Sequence, residues 1–241
     1  MLVSIILPTF NSALRIFDTI RAINAQTHDL LQVIVVDNYS TDGTLDLVKF
    51  REDICLKVIP QKKNGIWDAM NLGIDHADGD LLFFLNSDDI ISSNAIETIV
   101  ATYKATMCDV CFLPTYSAAG FLDKIKNNTY LGMHKYSPGH SASFSIKTGV
   151  HKKIGYYNVN THHCADHEVF AKIKNSHYRV RIAQGVGAYG VFTQGGASSK
   201  SHYNEKVNEE RHFRKSLKNY DDMLYCHIIY YIKYVYGKLL K

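Results

Sequence analysis

Short apolar runs alternate with helix-period segments through the first half of the chain, and this alternation sets the fold expectation. Residues 2–7, residues 32–37, LKVIP at 56–60 and DLLFFLN at 80–86 are short apolar runs that read as strands, those ending at Asp37 and ahead of Asp88 as buried ones. Between them, PTFNS carries a turn and a helix N-cap at Asn11 or Ser12, ahead of an apolar-periodic helix to about Gln26. STDGT opens a second helix to about Phe50, and GIWDAMNLGIDHA sets Ile66, Ala69, Met70 and Ile74 on one face of a third. The βαβαβαβ order predicts an α/β fold over roughly residues 1–115, a doubly wound, mostly parallel sheet with right-handed crossovers.

The second half is less regular. Residues 109–114 and 121–125 read as strands, HSASFSIK as another, DHEVFAKIK as a helix, and YRVRIA as a strand before a glycine-rich loop. No repeat or low-complexity linker divides the two parts, so one compact unit over residues 1–200 is expected, with a crevice between the halves 1–115 and 116–200.

Composition changes the picture in two places. A chain of 241 residues with 46% hydrophobic and 21% charged content builds a full core, and its net charge of +4 is confined to the tail. Residues 200–241 carry nine Lys and Arg against five Asp and Glu, while residues 1–199 carry eighteen of each. A neutral body argues against nucleic acid as a partner. The five cysteines, Cys55, Cys108, Cys111, Cys164 and Cys226, are odd in number and scattered, which points to reduced thiols and a cytoplasmic setting. The first apolar run has neither the length of a membrane span nor a basic region before it.

Carboxylates end the buried runs: Asp37 closes VIVVD, and Asp88 and Asp89 close LLFFLNSDD. The carboxyl ends of such strands form the ligand crevice of open α/β sheets. Adjacent acids there repel unless a divalent cation or hydroxyl groups sit against them, although SDDIISSNAIETIV also reads as a helix with acids in its first turn. Asp37, Asn38 and Asp42 equally suit a plain turn. GVGAYG at 185–190 matches GxGxxG, but no helix follows it to receive a pyrophosphate. His163 and His167 stand at i, i+4 spacing beside His162, Cys164 and Asp166, yet zinc needs three or four converging ligands. Trp67 flanks Ile66 and Met70 and reads as core. The loop 194–199, rich in glycine and small polar residues, could cover a phosphate or be plain surface.

In this order PTFN at 8–11, VVDNYSTDGT at 35–44, NGIWDAMNLG at 64–73, GDLLFFLNSDD at 79–89, GHSASF, KIGYYN and ADHEVF resemble family 2 glycosyltransferases of GT-A fold. The resemblance implies transfer of a sugar from a nucleotide donor, most often a UDP-sugar, with inversion. It implies donor contacts from Thr9, Asn11, Asp37, Asn64, Asp88 and His140, a Mn²⁺ or Mg²⁺ ion on Asp89, and Asp166 as the base toward the acceptor hydroxyl. Asn86 stands where the family's DxD pattern has its first acid, and Asp166, at the start of a helix, also suits a helix N-terminal acid. The acceptor implied is a glycan or lipid-linked hydroxyl in surface polysaccharide assembly. The aromatic, basic tail 201–241 suits either peripheral membrane contact or a helix packed on the domain. A nucleotidyltransferase is the competing reading, although PTFNSALR lacks its glycine-rich basic phosphate loop.

Overall fold

The computed structural model describes residues 1–62, 65–117, 122–123, 141–161 and 165–192. Strands β1 (Val3–Thr9) and β2 (Leu31–Asp37) are buried at every position, as their unbroken apolar sequence requires of strands covered on both sides. They pair in parallel, with β3 (Cys55–Pro60) outside β2 and β4 (Leu81–Phe84) on the far side of β1. The remaining strands are β5 (Ile90–Ile91), β6 (Val110–Phe112), β7 (Thr115–Ser117), β8 (Leu122–Asp123), β9 (Phe144–Lys147), β10 (Val180–Ile182) and β11 (Gly190–Phe192). They complete a seven-stranded sheet in the order β10-β6-β9-β4-β1-β2-β3 and a four-stranded sheet in the order β5-β11-β7-β8. In the large sheet β9 runs against both β4 and β6, while the other pairings are parallel.

Five α-helices are described: α1 (Ile16–Asn24), α2 (Ile66–Asp75), α3 (Ala95–Thr106), α4 (Thr148–Ile154) and α5 (Ala165–Lys174). Alternation along β1 divides the core in two. Val3, Ile5 and Leu7 pack with Ala22 and Ile23 of α1 and Ile96 and Ile99 of α3. On the other face, Ile6, Ile34 and Val36 pack with Met70 and Ile74 of α2 and Val169 and Phe170 of α5. Each such buried side chain contributes about 1.5–3 kcal/mol of transfer free energy, so both helical layers are firmly held. The doubly wound, mostly parallel expectation is met.

Local boundaries differ from expectation where side chains are used elsewhere. Helix α1 starts at Ile16, not beside Asn11 or Ser12, because Asn11 takes a left-handed φ of 45° and spends its side-chain oxygen on the Thr41 amide at 2.9 Å. The helix expected after STDGT shrinks to a 3-10 turn over Thr44–Leu47, since Asp42 and Thr44 bond to each other and to the segment before α1. Asp88 and Asp89 precede β5, and α3 begins only at Ala95, so they are not acids in the first turn of that helix. Of the four-stranded sheet only β8, within the strand read at 121–125, has a counterpart in the sequence reading. Among the described residues no helix is long and apolar enough to cross a membrane. The tail 201–241 and the loop 194–199 lie outside the described residues.

Candidate active site

The carboxyl ends of β1, β2 and β4 open onto one rim of the large sheet, and the expected site residues gather there. Thr9 and Asp37 are register partners in β1 and β2, both 4% exposed, and the Thr9 hydroxyl donates to Asp37 Oδ1 at 2.9 Å. Asp37 also accepts from the Ser40 hydroxyl at 2.6 Å and the Ser40 amide at 2.9 Å, so its carboxylate closes a turn as well as lining the rim.

The loop after β1 and the loop after β2 are laced together. The Asn11 amide donates to Ser40 Oγ at 2.9 Å, the Ser12 amide to Thr44 Oγ1 at 2.7 Å, and the Ala13 amide to Asp42 Oδ2 at 2.9 Å. The Thr44 hydroxyl first, then the Ala13 amide, hold the Asp42 carboxyl below its ordinary range. The bland turn reading is therefore right for Asp42.

A third loop, NSDD after β4, joins this pair. Ser12 Oγ and Ser87 Oγ lie 2.8 Å apart, and Thr19 of α1 donates to the main-chain oxygen of Asp89 at 2.8 Å. Arg15 Nη1 lies 3.4 Å from Asp88 Oδ2, with 17% of the Asp88 side chain exposed, whereas Asp89 as a residue is 1% exposed. Asp88 is thus the more exposed of the two carboxylates and Asp89 the more enclosed. Oxygen-only donors of this kind suit a hard cation such as Mg²⁺ or Mn²⁺, which takes its other ligands from phosphates and water. Among the described residues no group of three or more His, Cys, Asp or Glu could hold a metal by itself.

Asp166 reaches the same rim from the other side. Helix α5 leads into β10, which is parallel to β6, so the helix runs back along the sheet and its first turn lies at the strands' carboxyl ends. Tyr157 packs in the cluster that contains Ala165, and its burial, with the Asp166 charge beside it, pushes the phenol well above its ordinary range. Asn71 of α2 fixes Tyr157 by accepting its amide and donating to its carbonyl, both at 2.9 Å. Trp67, half-buried, stacks on the Tyr157 ring with centroids 5.2 Å apart and packs against the same cluster. Beneath them His151 is fully buried against Phe84 and Tyr157, and burial lowers its imidazole to about 4.

The rim therefore unites Thr9, Asn11, Asp37, Asp88 and Asp166; Asn64, His140 and the His162–Cys164 stretch lie outside the described residues. Arg15, Ser40 and Tyr157 were not foreseen. Nothing in local sequence marks Arg15, which reads as one more helical position; only the approach of two loops gives it an acid. Cys108 and Cys111 are buried free thiols. Two glycines of GVGAYG serve packing, since a Cβ at Gly185 would meet Thr98 Cγ2 at 2.5 Å and one at Gly190 the Ala142 carbonyl at 2.5 Å, and the third, Gly187, takes a left-handed φ of 71°.

Comparison with known proteins adds to this geometry. A family model described as glycosyl transferase family 2 matches residues 4–165. A putative teichuronic acid biosynthesis glycosyltransferase, TuaG of Bacillus subtilis, is 34% identical over 99 residues, 40% of this chain and 39% of its own. For the first relatives found, the matched stretch spans only 14% to 39% of their length. Among solved structures, S. aureus TarS 1-349 in complex with UDP superposes with TM-score 0.72 at 22% identity, over 91% of this chain and 66% of that one. The mannosyltransferase PcManGT of Pyrobaculum calidifontis, in complex with GDP-Man and Mn²⁺, does so with TM-score 0.68 at 18% identity, over 95% and 69%. The shared architecture is the GT-A fold.

Proposed function

The chain belongs to glycosyl transferase family 2, and on that premise we propose that it moves a sugar from a nucleotide donor to a hydroxyl of a glycan or lipid-linked acceptor, with inversion at the anomeric carbon. The observation that carries this reading is the single rim shared by the Thr9–Asp37 pair, Asp88 and Asp166. Asp37 and Thr9, with Asn11, suit the base and ribose of the donor, because a carboxylate and a hydroxyl buried side by side accept and donate to polar edges and little else. UDP in the TarS complex and GDP-Man with Mn²⁺ in the PcManGT complex support a nucleotide sugar as the donor class. The likeness to a protein named for teichuronic acid synthesis supports a polysaccharide as the product. A membrane-bound acceptor, with the tail 201–241 as the contact, rests on sequence composition alone.

In this reading Asp166 accepts the proton of the acceptor hydroxyl as its oxygen attacks the anomeric carbon from the face opposite the leaving diphosphate. A positioned carboxylate base contributes about 10²–10⁴ in rate. Asp88, backed by Asp89, is the group that would hold a Mn²⁺ or Mg²⁺ ion. Such an ion, when bound, neutralises charge growing on the leaving diphosphate. Tyr157 and Ala165 keep the first turn of α5 seated on the sheet, so that Asp166 stays at the rim.

The nucleotidyltransferase alternative needs a loop after β1 whose free amides cradle a triphosphate. Here the amides of Asn11, Ser12 and Ala13 are already given to Ser40, Thr44 and Asp42. Titration calorimetry of UDP and GDP, with and without Mn²⁺, tests the proposed donor site in the wild type and in Asp88→Ala. Nucleoside diphosphate binding that Mn²⁺ strengthens in the wild type and not in the variant supports it. No binding of either nucleotide under any condition would sink it.

A further inference from the structure

The ion pair between Arg15 and Asp88 differs from the other ion pairs described. Lys57–Asp78, Arg51–Asp53, Lys147–Asp109 and Arg179–Asp109 lie toward the amino ends of the parallel strands, and Arg21–Asp18 and Lys172–Glu168 lie within single helices. Arg15–Asp88 alone among them bridges two loops of the candidate site. It is a single contact at 3.4 Å, with 46% of the Arg15 side chain exposed. Partly exposed pairs of this kind contribute little to stability. The guanidinium uses one of its five donors on Asp88 here, while its planar fork matches phosphate oxygens better than one carboxylate oxygen.

The backbone beneath Arg15 is fixed. The Ser12 carbonyl accepts the amides of Arg15 and Ile16, each at 2.9 Å, and the Ser12 hydroxyl meets that of Ser87 in the NSDD loop at 2.8 Å. The side chain is therefore anchored at the edge of the donor crevice and held there by a weak, exchangeable partner. Deprived of that partner, Asp88 becomes the open carboxylate of the crevice.

We propose that Arg15 is a diphosphate contact of the donor site, and that it couples nucleotide to cation. In the free protein Arg15 neutralises Asp88 and disfavours a divalent cation there. An arriving nucleoside diphosphate draws the guanidinium onto its phosphate oxygens and leaves Asp88 to the cation that accompanies it. Two consequences follow: the protein binds nucleoside diphosphate measurably without metal, and binds metal poorly without nucleotide. The proposal rests on the donor-site reading given above and adds to it a residue and an order of events.

The test is calorimetric titration of UDP in EDTA, UDP in Mn²⁺, uridine, and Mn²⁺ alone, on wild type, Arg15→Gln and Arg15→Lys, with thermal melts to confirm folding. Charge-assisted contacts to phosphate predict that Arg15→Gln weakens UDP binding in EDTA about 10- to 100-fold, with uridine affinity unchanged. Mn²⁺ alone should bind Arg15→Gln more tightly than wild type, and Arg15→Lys should restore part of the UDP affinity. Wild-type UDP binding that is absent in EDTA, or that survives unchanged in Arg15→Gln, overturns the role of Arg15 and leaves the donor site standing. Failure of the wild type to bind any nucleoside diphosphate, with or without Mn²⁺, overturns the donor site and Arg15 together.

Discussion

Thr9 and Asp37 stand opposite each other at the ends of β1 and β2, and the hydroxyl of one donates to the carboxylate of the other at 2.9 Å in a nearly closed site. The pair joins strand register to chemistry, because a slip of one residue between β1 and β2 would separate them. Asp37→Ala leaves the Thr9 hydroxyl and the Ser40 amide without their acceptor, at about 1–3 kcal/mol for groups this buried. Urea unfolding should register that loss, and UDP affinity should fall at least about tenfold. A variant with wild-type UDP affinity would remove Asp37 from the donor site.

Asp166→Asn keeps shape and removes the base. The expected outcome is a fall in kcat of about 10²–10⁴, with donor affinity by calorimetry unchanged. A loss confined to donor affinity would instead place Asp166 among the binding residues.

Asn71 clamps the backbone of Tyr157 from both sides. Asn71→Ala should cost about 1–3 kcal/mol, because an amide and a carbonyl of a buried residue lose their partner together. Trp67 is the single tryptophan and stacks on the Tyr157 ring, so its emission reports on the clamp directly. A spectral shift in the variant is expected, and an unchanged spectrum with unchanged stability would show the clamp to be dispensable.

His151 provides the pH test. Burial lowers its imidazole from 6.5 to about 4 in the folded protein. The unfolded chain therefore takes up a proton that the folded one refuses as pH falls below about 6.5, and folding stability drops with it. The contribution is intact above that pH, is lost progressively toward pH 4, and amounts to the order of 3 kcal/mol. Urea unfolding of wild type and His151→Phe across this window should show a shallower pH slope in the variant. Parallel slopes would assign the acid sensitivity to other groups.

The parallel strands were legible because nothing but burial on two faces explains runs such as VIVV and LLFF. The acid-bearing loops were legible in position, through Asp37 and the NSDD turn, and through the ordered resemblance of seven segments. What local sequence hid was the destination of short polar side chains. Asn11, Asp42 and Thr44 look like helix caps in isolation, yet each is spent on a neighbouring loop, so α1 starts late and the next helix shrinks to a turn. The relative burial of Asp88 and Asp89 was hidden for a related reason: adjacent residues on a turn point in different directions, and only the packed structure decides which one is enclosed. The second sheet, β8 apart, escaped notice because its strands are two or three residues long, too short for any alternation to register.

The lacing of residues 11–13 to residues 40–44 bears on how this fold can be diversified. Four hydrogen bonds join the two loops, each between a backbone amide of one and a side chain of the other. Grafting either loop alone from a relative would strand its partner's donors and acceptors, so a chimera with one exchanged loop should be less stable than either parent. Exchanging both together carries the whole set across. On the proposed donor-site reading, base preference is then inherited as a two-loop cassette, and the smallest unit of change is the pair.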